Sequence, residues 1–343
     1  VSAIGVADVL SGDRGLRWVV VAILGTLAAM CASVAAVLMR TRTGFADVST
    51  ALSVSAYVAT GATALVAVPR SLGVWHLTTV GAAVATMAVL LWALTGNRPA
   101  ALHTGVATVA SGAVIAGLLH IVIPVSSQAV AAQMVFFAVA VIVWGTQVAR
   151  LVGRVRVNYI PTTGEPLVRR DDMNVHEASK RSTSAVAIEA MLNQENQVIT
   201  TLRALIGMLT SASALLVVAA AAAGYFTSSY EWHMFASIAA ATVATVAIGR
   251  GLVIRAASVP LMVAGPLAAT AYLVGRALSP HRVETSVLAA GAVPILVLVM
   301  LASIWAVRAQ KLHSPLGKRR LELAATAAVV TMFPLLVLIM EGW

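Results

Sequence analysis

The chain has 343 residues, of which 60% are hydrophobic and 10% charged, and its mean hydropathy is +0.92. A soluble domain carries about 25% charged residues and a disordered chain is poor in apolar ones, so both classes are excluded and a polytopic helical membrane protein remains. The formal net charge of +10 does not by itself point to nucleic acid, because loop arginines orient membrane chains. The single cysteine, Cys31, excludes a disulfide framework and any cysteine-ligated metal or iron–sulfur site.

In chain order, residues 1–17 form a lead-in segment with no signal-peptide pattern. Runs of about 20 apolar residues then mark membrane spans. Residues 18–152 hold five of them: Val19–Met39, Val48–Val68, Val74–Leu94, Leu102–Ile123 and Ala129–Val148. Residues 153–203 interrupt the pattern. Residues 204–343 hold five more: Ala204–Phe226, Trp232–Ile248, Ala257–Gly275, Val287–Val307 and Leu323–Met340. The seventh is short with soft edges. The eighth carries Pro260 and Pro266, which a membrane helix tolerates where neighbours re-satisfy the backbone. The expectation is an all-α protein with about ten transmembrane helices. Alternating apolar–polar strands are absent, which argues against a β-barrel.

Lys and Arg divide unevenly between the two faces. The connections after spans one, three, five, seven and nine carry 18 of them, and the opposite face carries five, Arg14, Arg17, Arg70, Arg276 and Arg282. By the positive-inside rule the central segment is cytoplasmic and Val1 and Trp343 are not. An outward N-terminus without a signal peptide leads us to expect at least one further span before Val1.

Ionisable groups deep in a membrane mark transport pathways, and no Asp or Glu falls near the middle of a span. Asp47, Glu231, Glu284, Glu322 and Glu341 all sit at span ends. His76, His103 and His120 fall in spans three and four without metal-ligand spacing, so they read as interfacial or helix-packing residues. His233 beside Trp232 reads as part of an aromatic belt with Tyr225 and Tyr230. P-loop, zincin and serine-hydrolase motifs are absent. No catalytic residue, cofactor or metal is expected. Small residues at four-residue spacing are too common in this Ala-rich chain to define a site.

The central segment is more informative. Arg150, Arg154 and Arg156 close span five, Pro161-Thr162-Thr163-Gly164 makes a turn, and Arg169-Arg170-Asp171-Asp172 follows. From about His176 to Arg203 there is no Pro or Gly, and Ala, Glu, Gln and Ser dominate. This predicts a stalk helix running into span six, with Val186, Ile188, Met191 and Leu192 clustered on part of its surface. It is either a solvated stalk or a docking face for another domain.

Four stretches resemble a known family. They are Arg150–Pro161 (RLVGRVRVNYIP), Gly249–Pro260 (GRGLVIRAASVP), His313–Glu322 (HSPLGKRRLE) and Phe333-Pro334-Leu335 inside the last span. Together they resemble EccD, the polytopic membrane subunit of mycobacterial type VII (ESX) secretion systems. That resemblance implies a non-enzymatic scaffold in an inner-membrane complex, paired with a second EccD copy and assembled with EccB, EccE and the ATPase EccC. The missing P-loop agrees with an ATPase on another subunit. The family also implies a ubiquitin-like domain and a first span that this sequence does not contain. Arg154, Arg156, Arg169, Arg170, Lys318, Arg319 and Arg320 are the candidate docking residues for partners or membrane lipids, and no nucleic-acid partner is expected. A secondary transporter or permease for a small solute, and a membrane enzyme, are the competing classes.

Overall fold

The computed structural model describes residues 14–41, 46–69, 73–96, 99–123, 125–152, 183–226, 231–252, 254–279 and 315–341. Among these residues there are nine helices and no strand. They are α1 (Arg14–Thr41), α2 (Ala46–Ala67), α3 (Val74–Thr95), α4 (Ala100–Val122), α5 (Ser127–Val152), α6 (Thr183–Tyr225), α7 (Glu231–Gly251), α8 (Arg255–Ala277) and α9 (Pro315–Glu341). Each is long and apolar enough to cross a bilayer, as backbone self-satisfaction in hydrocarbon requires. The tenth expected span, Val287–Val307, lies outside the described residues, as does most of the central segment.

Eight predicted spans are extended by a few residues at one or both ends. For the seventh this settles the soft edges, because α7 runs from Glu231 to Gly251. The sixth span is different. It is continuous with the predicted stalk, so α6 is one helix of 43 residues.

In α8 the helix runs unbroken through Pro260 and Pro266. Each proline removes a backbone donor and frees a carbonyl one turn earlier. At the α7–α8 crossing Ser258 Oγ donates to the Gly249 carbonyl at 2.7 Å, and Thr242 Oγ1 lies between the Ile238 carbonyl at 2.9 Å and the Gly265 carbonyl at 3.1 Å. Hydroxyl donation between helices is the polar glue expected where no water competes.

α6 lies at the centre and packs on α4, α5 and α8. α7 joins α8 to α9, and α9 returns against α5 and α7. The first four helices form an antiparallel series that reaches the rest mainly through α4. Two clusters of buried side chains follow α5–α9. One joins Val135, Leu216, Met234, Tyr272 and Met332, and the other joins Ile142, Leu205, Leu209 and Leu261. A smaller cluster ties α1, α2 and α3 through Ala32, Ala56, Tyr57 and Leu91. Outward-facing Ile23, Leu27, Met30, Val34 and Val37 on α1 recur at helical spacing, the pattern of a face turned to lipid.

The α4–α6 crossing depends on glycine. A methyl group at Gly207 would overlap the Ala101 carbonyl oxygen, and one at Gly105 would sit 3.1 Å from the Gly207 carbonyl oxygen. With both side chains absent, the backbones approach closely enough to bring Thr104 Oγ1, whose shorter bond is to the Ala100 carbonyl at 2.7 Å, within 3.2 Å of the Ala204 carbonyl. Close approach is how membrane helices gain packing energy, since lipid tails remove the hydrophobic drive.

Candidate functional site

The packing assigns helix ends to two levels. Ala149 of α5, Leu205 of α6, Ala257 of α8 and Ile248 of α7 share one cluster, and Gly145 abuts Leu205 and Leu209. Ala101 of α4 meets Gly207 at the same end. The N-terminal turns of α9 join them there, because Leu321 and Glu322 border the same cavity as Ala247, Ile248 and Gly251. Arg150, Arg203, Arg250, Arg255, Arg319 and Arg320 are therefore carried to one end of the bundle, and all six are exposed. Sequence parity grouped these residues, and the packed helices place them together.

α6 rises from this end. The apolar run of α6 begins at Ala204, and the helix starts 21 residues earlier at Thr183. At 1.5 Å per residue the extension adds about 32 Å. Glu195, Asn196, Gln197 and Val198 are exposed, which fits a helix leaving the bundle. Below the stalk, the same helix packs on α4, α5 and α8.

Of the candidate docking residues, Arg319 and Arg320 are exposed on the first turns of α9. Lys318 lies in the same helix. Arg154, Arg156, Arg169 and Arg170 lie outside the described residues, so nothing in the structure groups them with the α9 cluster. The carboxylates Asp47, Glu195 and Glu322 are exposed. Among the described residues no group of three or more His, Cys, Asp or Glu is placed to hold a metal ion.

The histidines divide. His120 is half-buried, and His76 is buried with its Nδ1 unpartnered among the described residues. His103 was expected to be interfacial or helix-packing, and the structure selects the second. It is 0% exposed and bonded on both ring nitrogens. Tyr57 Oη meets Nδ1, and Thr95 Oγ1 lies 2.9 Å from Nε2. The Tyr57 and His103 rings meet edge to face at 6.1 Å between centroids.

Counting protons assigns the tautomer. Thr95 has one hydroxyl proton, and it donates to the Leu91 carbonyl at 2.7 Å. Its oxygen must then accept, so Nε2 carries the imidazole hydrogen. Nδ1 is left as the acceptor and Tyr57 O–H donates to it. The result is a directed chain from α2 to α4 to α3 in which every donor has an acceptor. Neutral groups suit this interior, since an unpaired charge there would be expensive. The arrangement holds three helices together; it presents no reacting atom to a substrate.

Reading the sequence did not identify this cluster or the Gly105–Gly207 contact. The only sequence signal for the first was a histidine one residue past the start of a span, with a tyrosine in the middle of another. For the second it was a glycine in an Ala-rich run. Neither stands above background.

Three comparisons bear on identity. The family described as the EccD-like transmembrane domain matches residues 1–342. No curated protein matches. Among solved structures, protomer 1 of the ESX-3 core complex superposes with a TM-score of 0.70 at 20% identity, over 98% of this chain and 73% of that one. A chain of the MycP5-free ESX-5 inner membrane complex superposes with a TM-score of 0.61 at 17% identity, over 88% of this chain and 71% of that one. At these identities the likeness is one of fold, and it agrees with the all-helical membrane architecture.

Proposed function

The chain belongs to the EccD-like transmembrane domain family, and from that premise we propose that it is a non-enzymatic scaffold subunit of a type VII protein secretion complex in the bacterial inner membrane. It pairs with a second copy of itself and docks the ATPase EccC together with EccB and EccE. Its central segment, residues 153–203, is cytoplasmic. The observation that carries the reading is α6: a single helix of 43 residues that is at once the core of the bundle and a stalk leaving its basic end. A partner bound to such a stalk is rigidly coupled to the membrane domain without any reaction on this chain.

The chemistry supports the same division of labour. A charge at the bilayer centre costs at least about 2.5–3.5 kcal/mol by insertion scales, so proteins keep one there mainly for function. The described carboxylates lie outside the interior, and its one doubly bonded histidine is used in packing. Function then resides in surfaces. The basic clusters Arg154–Arg156, Arg169–Arg170 and Lys318–Arg320 are the proposed contacts for acidic faces of partner subunits. Charge reversal at Arg169 and Arg170 is expected to release at least one partner from complexes purified through this chain. Retention of every partner together with normal secretion would overturn the docking assignment and leave lipid phosphates as the ligands of those arginines.

A further inference from the structure

The described helices form two groups with separate cores. The buried cluster of α1–α4 joins Ala32, Ala56, Tyr57 and Leu91, and the other two clusters lie within residues 125–340. Among the described residues no cluster takes side chains from both groups. What joins the groups is α4 seated on α6, with a lesser contribution from α5. That junction is built from backbone and small residues. Gly207 of α6 lies against the Ala101 carbonyl, Gly105 of α4 lies against the Gly207 carbonyl, and Gly112 receives Leu215 of α6 and the ring of Phe137 of α5. At its other end α4 is tied to the second group by the chain itself, because only residues 123–126 separate Val122 from Ser127. Interlocked large side chains would resist rolling, and a glycine face does not. Two units with their own cores and a small shared interface move relative to one another as bodies.

Beside the junction an apolar crevice of about 590 Å³ separates α3 from α6. Its walls are Leu77, Val80 and Val84 on one side and Thr210, Ser211 and Ala214 on the other, with α4 as its floor. Within its own group α3 is locked to α4. A methyl group at Gly81 would sit 2.9 Å from the Ala110 carbonyl oxygen, and one at Gly117 would overlap Thr78 Oγ1. α3 therefore cannot approach α6 alone, and α1–α4 must turn together. We infer that α4 is a hinge post about which α1–α4 swings as one body against α5–α9, opening and closing the α3–α6 crevice. The stalk belongs to α6, so it stays with the second body while the first one moves. Hinged bodies of this kind keep their own packing and change only the gap between them. The crevice is the clearance for the swing. A space that admits a water molecule is about 3 Å across, so closure brings α3 nearer to α6 by about that distance. The hinge needs no partner subunit and stands apart from the scaffold reading.

The test measures distances between paired spin labels by pulsed electron resonance, on the full chain in lipid nanodiscs after Cys31→Ala. Cysteines carrying the labels replace exposed residues. Val89 of α3 with Val218 of α6 spans the junction, Val89 with Met30 of α1 lies inside the first group, and Val218 with Trp144 of α5 lies inside the second. The Val89–Val218 distribution is expected to be broader than the other two and to contain a component shorter than its main distance by about 3 Å. A214F places a ring in the crevice and should remove the shorter component while both within-group distances stay in place. Equal widths for the three pairs would overturn the hinge in favour of one rigid bundle, and this comparison decides the hinge whether or not A214F folds. A broad Val89–Val218 distribution that a folded A214F leaves unchanged would overturn the crevice as the clearance for the swing.

Discussion

Replacing Tyr57 by Phe removes one oxygen and almost no volume, so it isolates the hydrogen bond to His103. The assigned tautomer makes Nδ1 the acceptor, and in Tyr57→Phe that nitrogen keeps its lone pair with no donor. Leaving a buried acceptor unpaired costs about 1–3 kcal/mol in water-soluble proteins. Interhelical hydrogen bonds in membranes average about 0.6 kcal/mol and reach about 1.7. The site is fully buried, with a ring contact between the same partners, which places the expected loss near the top of the membrane range, about 1–2 kcal/mol. His103→Ala removes both bonds and opens a cavity, so it should lose more, about 2–4 kcal/mol. In the His103→Ala background, Tyr57→Phe should then cost almost nothing, giving a coupling energy of about 1–2 kcal/mol. The assay is reversible unfolding in mixed micelles of mild detergent and dodecyl sulfate, followed by loss of helical signal, for the wild type, both single variants and the double variant. Strictly additive losses would refute the hydrogen-bonded arrangement. Wild-type stability and assembly combined with blocked secretion in either single variant would refute its purely structural role and make His103 a relay.

Other expectations follow from the same geometry. A proline at Ala190, in the stalk part of α6, costs about 3 kcal/mol of helix stability; it should abolish co-purification of partner subunits while membrane insertion, measured by carbonate-resistant membrane fractionation, persists. Gly207→Val places a side chain against the Ala101 carbonyl and should destabilise the α4–α6 crossing by about 1–3 kcal/mol, read in the same unfolding assay, whereas Gly251→Ala, which meets nothing within 4 Å, should be close to silent. His76→Ala, His120→Ala and Glu322→Ala should leave secretion largely intact. After Cys31→Ala, a cysteine placed near Gly342 should react with a membrane-impermeant maleimide in intact cells and one placed at Thr163 should not; the reverse pattern would invert the topology.

The nine described spans, their approximate limits and the shared end of their basic residues were legible in the sequence because a bilayer imposes them. Hydrocarbon demands about 20 apolar residues in a helix, and that demand is local. Val74–Leu94 as read from composition and Val74–Thr95 as folded differ by one residue. The stalk was legible for the same kind of reason, through the absence of helix breakers between His176 and Arg203. What a bilayer does not impose is rotation about each helix axis. In water the apolar stripe reveals the buried face, but in lipid both faces are apolar. In α5, Val139 is 1% exposed and Val148 is 42% exposed, and nothing in their chemistry separates them. The partnership of Tyr57 with His103, 46 residues apart, and the meeting of Gly105 with Gly207 depend on those rotations and on helices joining across the fold. They were settled only by tertiary packing, where small side chains let backbones approach and brought Tyr57, His103 and Thr95 within reach of one another.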